Sequence, residues 1–331
     1  MMRYLDEPKL YNPSIKYQPK LCSDIGLFEY CVNRSGSKNL LYQIYTNDIY
    51  TDLKIFSFKY RLMASAGTLY YSRIKKHHYF KEFYNINKSD FLELYSKNRS
   101  KIHRNHPIQQ LMDLCKDNNN NQCYYCGAKD FENIDHFLPE GNIDSNFDLF
   151  FPQLCVMSYN LVPSCGTCNR KKLKHVGKYV TETFIHPYFS SFLNDNFLNC
   201  ETSFRYNNEP TFSYTVSYPN NWLLSQKKRV EWQLDRLDIL NRYSLKASSN
   251  LKKNLLEYQE ILKIDGIHAL KIHLDRRARS IAGYLGLNNW ERLMYLSLSN
   301  NIHRFSIYLR NTANAPTKAY LNPLDINKLR N

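Results

Sequence analysis

No stretch of this 331-residue chain is apolar for long enough to cross a bilayer. Its first residues, MMRYLDEPKLYNPSIKYQPK, also lack the apolar run of a secretory leader. Both absences point to a cytoplasmic protein with no membrane partner. Acidic residues are scarce: 30 Asp and Glu stand against 45 Lys and Arg, leaving a formal charge of +15. Such a surplus suits a polyanionic partner, most simply nucleic acid. There is no internal repeat, no convincing helix-turn-helix and no array of fingers, so sequence specificity is expected to be low or to come from a partner. Nine cysteines, an odd number, argue against a disulfide framework in a reducing compartment and favour metal ligation or plain burial.

Aromatic residues, in contrast, are plentiful, at 15% of the chain with 27 Tyr, which is the composition of a folded protein. Pro8, Pro13 and Pro19 break any pattern over residues 1–40, which read as irregular. Ile49, Leu53, Phe56, Tyr60 and Met63 fall at helical spacing, with Gly67 placed to end that helix. Ser89 reads as the N-cap of SDFLELYSK, and Pro107 as the first turn of PIQQLMDLCK. The polar run DNNNNQ then marks a linker. Further on, TSFRY and TFSYTV flank NNEP and predict a β-hairpin, with Phe204 and Tyr206 facing Phe212, Tyr214 and Val216. From Ser225 the pattern is helical again, through Val230, Leu234, Leu237 and Leu240, then Leu251, Leu255, Tyr258 and Leu262, and NNWERLMYLSL. Residues after Pro316 read as a tail. The expected class is α+β, with mainly helical flanks (1–116 and 191–331) around a small central domain (117–190) and a hairpin after it.

Chemistry concentrates in the centre. CYYCGAKDFENIDHFLP holds Cys123 and Cys126, followed by Asp135 and His136; NLVPSCGTCNRKK holds Cys165 and Cys168. Two C-x-x-C pairs can close one tetrahedral four-thiolate zinc site, each supplying two ligands from one tight turn. Gly127 and Gly166 let the backbone turn close to the metal. A redox reading of either pair lacks its βαβ setting. Cys22, Cys31, Cys115, Cys155 and Cys200 are scattered and read as ordinary thiols. Asn160 precedes the second pair, and Asn169, Arg170, Lys171, Lys172 and Lys174 follow it. If zinc clamps the two ends together, Asp135, His136 and Asn169 can meet on one face. Taken alone, an Asp-His pair is more often a turn, and a run of lysines is a solvated helix face.

In this order and spacing, Cys123, Cys126, Asp135, His136, Pro139, Asn160, Cys165, Cys168, Asn169 and Lys172 resemble the zinc-bound HNH endonucleases. The resemblance covers about residues 115–190 and implies a zinc-stabilised ββα-metal finger. It implies His136 as general base, Asp135 and Asn169 as ligands of a catalytic Mg²⁺ or Mn²⁺, and Asn160 as the residue that fixes the loop and orients His136. Arg170, Lys171, Lys172 and Lys174 would hold backbone phosphates. DNA is the expected substrate; RNA such as tRNA is the alternative, and a non-catalytic zinc module that binds nucleic acid or a protein is another. Together with the hairpin and WQLDRLDILNRY, FIHPYFSSF also resembles HNH subunits of Septu-type phage defence, which work beside an ABC-type ATPase. In that reading His186 either supports the site or is structural. A single finger cuts one strand, so a double-strand break needs a homodimer or two successive nicks.

Overall fold

The computed structural model describes residues 27–28, 31–33, 49–69, 88–99, 108–109, 112–113, 121–128, 130–140, 151, 154–173, 175, 177, 179–206 and 208–313. Within them the chain is α+β, mostly helical, with two separate two-stranded antiparallel sheets. The elements in chain order are α1 (Ile49–Ser65), α2 (Lys88–Arg99), β1 (Asn133–His136), β2 (Leu161–Ser164), α3 (Gly166–Lys172), β3 (Leu198–Phe204), β4 (Pro210–Val216), α4 (Leu224–Arg236), α5 (Ile239–Lys253), α6 (Leu255–Ile264), α7 (Gly266–Leu285), α8 (Trp290–Asn300) and α9 (Ile302–Ala313). No helix among the described residues is long and apolar enough to cross a membrane.

Gly67 follows α1 at φ +69°, a left-handed conformation that stops a helix cheaply only at glycine. A side chain there would also strike the Arg229 guanidinium. Helix α2 begins at Lys88, which places Ser89 inside the first turn rather than before it. Residues 27–28 and 31–33 are helical, correcting the irregular reading of that stretch. Leu27, Phe28, Cys31 and Val32 recur at helical spacing there, and all four are buried. The prolines at 8, 13 and 19, the Pro107 turn and the tail after Pro316 lie outside the described residues.

The β3–β4 hairpin pairs Leu198 with Val216, Cys200 with Tyr214 and Thr202 with Phe212. Alternate residues of both strands face the helices, as a half-buried sheet requires. Tyr206 lies beyond the pairing and is fully exposed, so the inward role expected of it falls to Cys200 and Thr202. The apolar period through Leu240 and Leu255 is real but is carried by separate helices. Asp238, at φ +53°, turns the chain between α4 and α5, and Asn254 separates α5 from α6. Helix α8 starts at an Asn289 cap whose side chain accepts from the Glu291 and Arg292 amides. Helices α6–α9 pack on one another through Tyr258, Leu274, Leu298 and Phe305, all buried, while α5 lies across the hairpin.

Candidate metal centre and the His136 site

Strands β1 and β2 pair with Asp135 opposite Val162 and His136 opposite Leu161, and α3 follows β2 directly and packs on β1. The two C-x-x-C turns meet at the end of this unit. All four sulfurs, of Cys123, Cys126, Cys165 and Cys168, are buried and lie within 4.8 Å of one another. The Cys126 and Cys165 sulfurs are 4.0 Å apart. Four thiolates around tetrahedral zinc, with Zn–S about 2.3 Å, sit about 3.8 Å apart, so the set fits a structural zinc ion. Gly127, at φ +56°, closes the first turn by donating to the Cys123 carbonyl at 2.8 Å. Cys165 caps α3, its sulfur accepting from the Cys168 amide at 3.4 Å. Burial raises the Cys123 thiol well above its ordinary range.

His136 ends β1 and is 9% exposed. Its Nε2 lies 2.9 Å from the Cys155 carbonyl. A carbonyl only accepts, so Nε2 carries a proton and is the donor of this bond. The Glu140 carboxylate is 3.6 Å from Nε2, and the Tyr95 ring meets the imidazole edge-on at 4.5 Å. These contacts come from three segments: α2, the loop after β1 and the loop before β2.

Asn160 is completely buried and joins those two loops. Its Oδ1 accepts from the Leu138 amide at 2.8 Å and from the Tyr60 hydroxyl at 3.1 Å. Its Nδ2 donates to the carbonyls of Leu138 (3.0 Å) and Leu154 (3.2 Å). Leu138 is two residues past His136, and Leu154 is next to the carbonyl that holds its ring. The amide therefore fixes both sides of the His136–Cys155 bond.

Asp135 is also buried. Its Oδ2 accepts from the Tyr125 hydroxyl at 2.6 Å and lies 2.9 Å from Lys172 Nζ. Lys172 is 0% exposed, donates to the His136 carbonyl at 2.9 Å, and has the Phe137 and Phe184 rings at 5.8 Å. The sequence groups Lys172 with the phosphate-holding lysines, but its charge faces inward and is spent on Asp135. Asn169 shares a helix face with Lys172 and is half-buried. Among the described residues its side chain makes no hydrogen bond to Asp135 or His136. Among the described residues the partners of the Asp135 carboxylate are Tyr125, which the sequence reading leaves out, and Lys172, which it assigns elsewhere. Arg170 is exposed, and Lys171 lies 4.0 Å from Asp238; Lys174 is outside the described residues.

His186 is buried. Its Nδ1 accepts from the Tyr188 amide at 3.2 Å, and its Nε2 lies 3.0 Å from the Tyr159 carbonyl and 3.1 Å from the Tyr60 hydroxyl. Burial, with Arg229 and Lys172 nearby, pulls its pKa down to about 3. The ring is therefore neutral at physiological pH and joins α1 to the Asn160 amide through Tyr60. His175 contacts the Arg236 guanidinium, and its pKa is lowered by burial, Arg236 and Lys172.

Other contributors were invisible in the sequence because they come from distant segments. Tyr60 reaches Asn160 from 100 residues away and Arg242 reaches Cys168 from 74. Tyr125 alone carried a local signal, since it lies inside the first C-x-x-C.

No family model matches the chain, and no solved structure matches it. Among curated proteins it is similar to protein ea31 of Escherichia phage lambda, with 27% identity over 231 residues that cover 66% of this chain and 74% of that protein. That name states no activity.

Proposed function

We propose that this protein is a metal-dependent endonuclease of the HNH type that hydrolyses phosphodiester bonds in DNA. The observation that carries the reading is the His136–Cys155 bond. It holds the imidazole through Nε2, at the end of the first strand of a strand–strand–helix unit built on four clustered cysteines. A ring so fixed can take a proton from water on Nδ1 while its other nitrogen stays anchored. Asn160 positions it by holding both loops. Arg170, exposed on α3, and Lys171, half-buried beside Asp238, supply positive charge for backbone phosphates.

A catalytic Mg²⁺ or Mn²⁺ would be held by the hard oxygens of Asp135 and Asn169, with phosphate and water completing its shell. When bound, such an ion neutralises charge that develops on the departing oxygen. Asp135 already carries Lys172 on Oδ2, so its carboxylate offers a divalent ion less than a full negative charge. Loading is therefore expected to be weak without nucleic acid.

The test is cleavage by the purified full chain, offered supercoiled plasmid and total tRNA with Mg²⁺, Mn²⁺ or EDTA, beside His136→Ala. Metal-dependent nicking or linearisation that falls about 10²-fold or more in the variant, with zinc content unchanged and the fold retained, is the expected result. Cutting confined to tRNA moves the substrate to RNA, because water attacks a phosphate without help from a 2′-hydroxyl. Cleavage that survives His136→Ala overturns the reading. The wider role, an effector beside an ABC-type ATPase in phage defence, is proposed on the flanking motifs alone. Its check is ATP-dependent cleavage by this chain with such a subunit added.

A further inference from the structure

The four-cysteine centre is not closed by the finger alone. Arg242, in the first turn of α5, places Nη1 3.3 Å from the Cys168 sulfur, and Nη2 3.4 Å from the Cys126 and 3.6 Å from the Cys165 sulfur. One guanidinium thus spans three of the four ligands. The next residue, Tyr243, donates its hydroxyl to the Cys126 carbonyl at 2.6 Å. Its ring is buried against Tyr214 of the hairpin at 5.4 Å. Helix α5 therefore touches the cysteine turn by one charged and one neutral contact, and packs on the hairpin as well.

We infer that Arg242 is the outer-shell counter-charge of the metal centre, and that zinc docks the C-terminal helical region onto the His136 unit through it. Four thiolates around Zn²⁺ carry a net charge of about −2. Buried charge of one sign is costly unless it is paired. N–H donors to coordinated sulfur draw off part of that charge, and a fixed planar fork reaches several sulfurs at once where an ammonium group cannot. The coupling runs both ways. With zinc bound, the dianionic cluster holds α5. Without zinc nothing gathers the four sulfurs at one point, and the guanidinium loses the arrangement that lets it reach three of them at once.

This inference is independent of catalysis and concerns what the metal holds in place. Its test uses the zinc-loaded full chain and follows zinc transfer to a chromophoric chelator in wild type, Arg242→Met, Arg242→Lys and Tyr243→Phe. Release is expected to be about 10- to 100-fold faster for Arg242→Met, the usual cost of an outer-shell substitution. Arg242→Lys should fall between it and wild type. In parallel, amide hydrogen exchange of wild type is measured with and without zinc. Stripping zinc should speed exchange in Ile239–Lys253 more than in Trp290–Asn300. Release from Arg242→Met at the wild-type rate would overturn the counter-charge role. Equal acceleration by Tyr243→Phe would also overturn it, placing the effect in helix docking alone. Should Arg242→Met fail to fold, the exchange experiment stands by itself, and unchanged α5 protection without zinc would refute the docking role.

Discussion

Lys172 Nζ lies 2.9 Å from Asp135 Oδ2, and the lysine is completely buried. Removing one member of a buried pair leaves the other charge unsolvated. Asp135→Asn is therefore predicted to destabilise the fold by about 3–5 kcal/mol. The double variant Asp135→Asn with Lys172→Met should recover much of that loss, because no charge remains to desolvate. Equilibrium unfolding of the single and double variants measures this, and additive losses would refute the pairing. One consequence is that lost activity in Asp135→Asn cannot by itself be assigned to chemistry, which is why His136→Ala is the cleaner probe.

The basic residues of α3 should separate into two kinds. Arg170→Ala and Lys171→Ala are predicted to weaken nucleic-acid binding across all sequences while leaving the unfolding free energy within about 0.5 kcal/mol of wild type. Each phosphate contact removed should lower the slope of log affinity against log salt by about 1. Lys172→Met should instead lower stability, through the Asp135 charge it leaves unpaired. Salt-dependent binding and thermal melting of the three variants check the division. Equal behaviour would mean that burial does not distinguish them.

Asn160 makes four side-chain hydrogen bonds in a site with no solvent access. Asn160→Leu leaves the Leu138 amide and the Leu138 and Leu154 carbonyls without these partners, at about 1–3 kcal/mol for each buried group left unsatisfied. Its loops should also loosen around His136, so a variant that still folds is expected to lose turnover more than substrate affinity. Unfolding and cleavage measured on the same preparation check both effects.

Acid should act through His186. Its folded pKa of about 3 lies below the ordinary histidine value, so the unfolded chain binds the extra proton first. The stability this neutral ring contributes is whole above about pH 6.5 and falls as pH drops from there toward 3, by about 1.4 kcal/mol per pH unit within that window. His186→Gln should flatten the dependence by about one proton, although the variant is less stable at neutral pH. Unfolding free energies measured at several pH values read the slope directly.

Much of the site was legible because its signals are local. A C-x-x-C turn must place two sulfurs on one side, and two such turns with soft ligands leave few alternatives to one shared metal. The spacing of apolar residues likewise located α1, α4–α6 and α8, since a helix repeats its buried face every three to four residues. Where those helices break was harder to see. Asp238 adopts a left-handed turn that no glycine or proline advertises.

Charge inside the fold could not be read from order along the chain. Lys172 stands in NRKKLK among lysines that look alike, and only the packing of α3 on β1 turns it onto Asp135 and away from solvent. Arg242 sits in an ordinary amphipathic helix until α5 docks on the cysteine turns. Tyr60 meets Asn160 only because α1 packs beside both loops. The sequence by itself determined the four clustered cysteines, the Asp-His pair and most helices, through residue chemistry and short-range spacing. Tertiary structure alone decided which charges are paired inside and which face the solvent, because desolvation acts on positions in space, and segments about a hundred residues apart must meet before it applies.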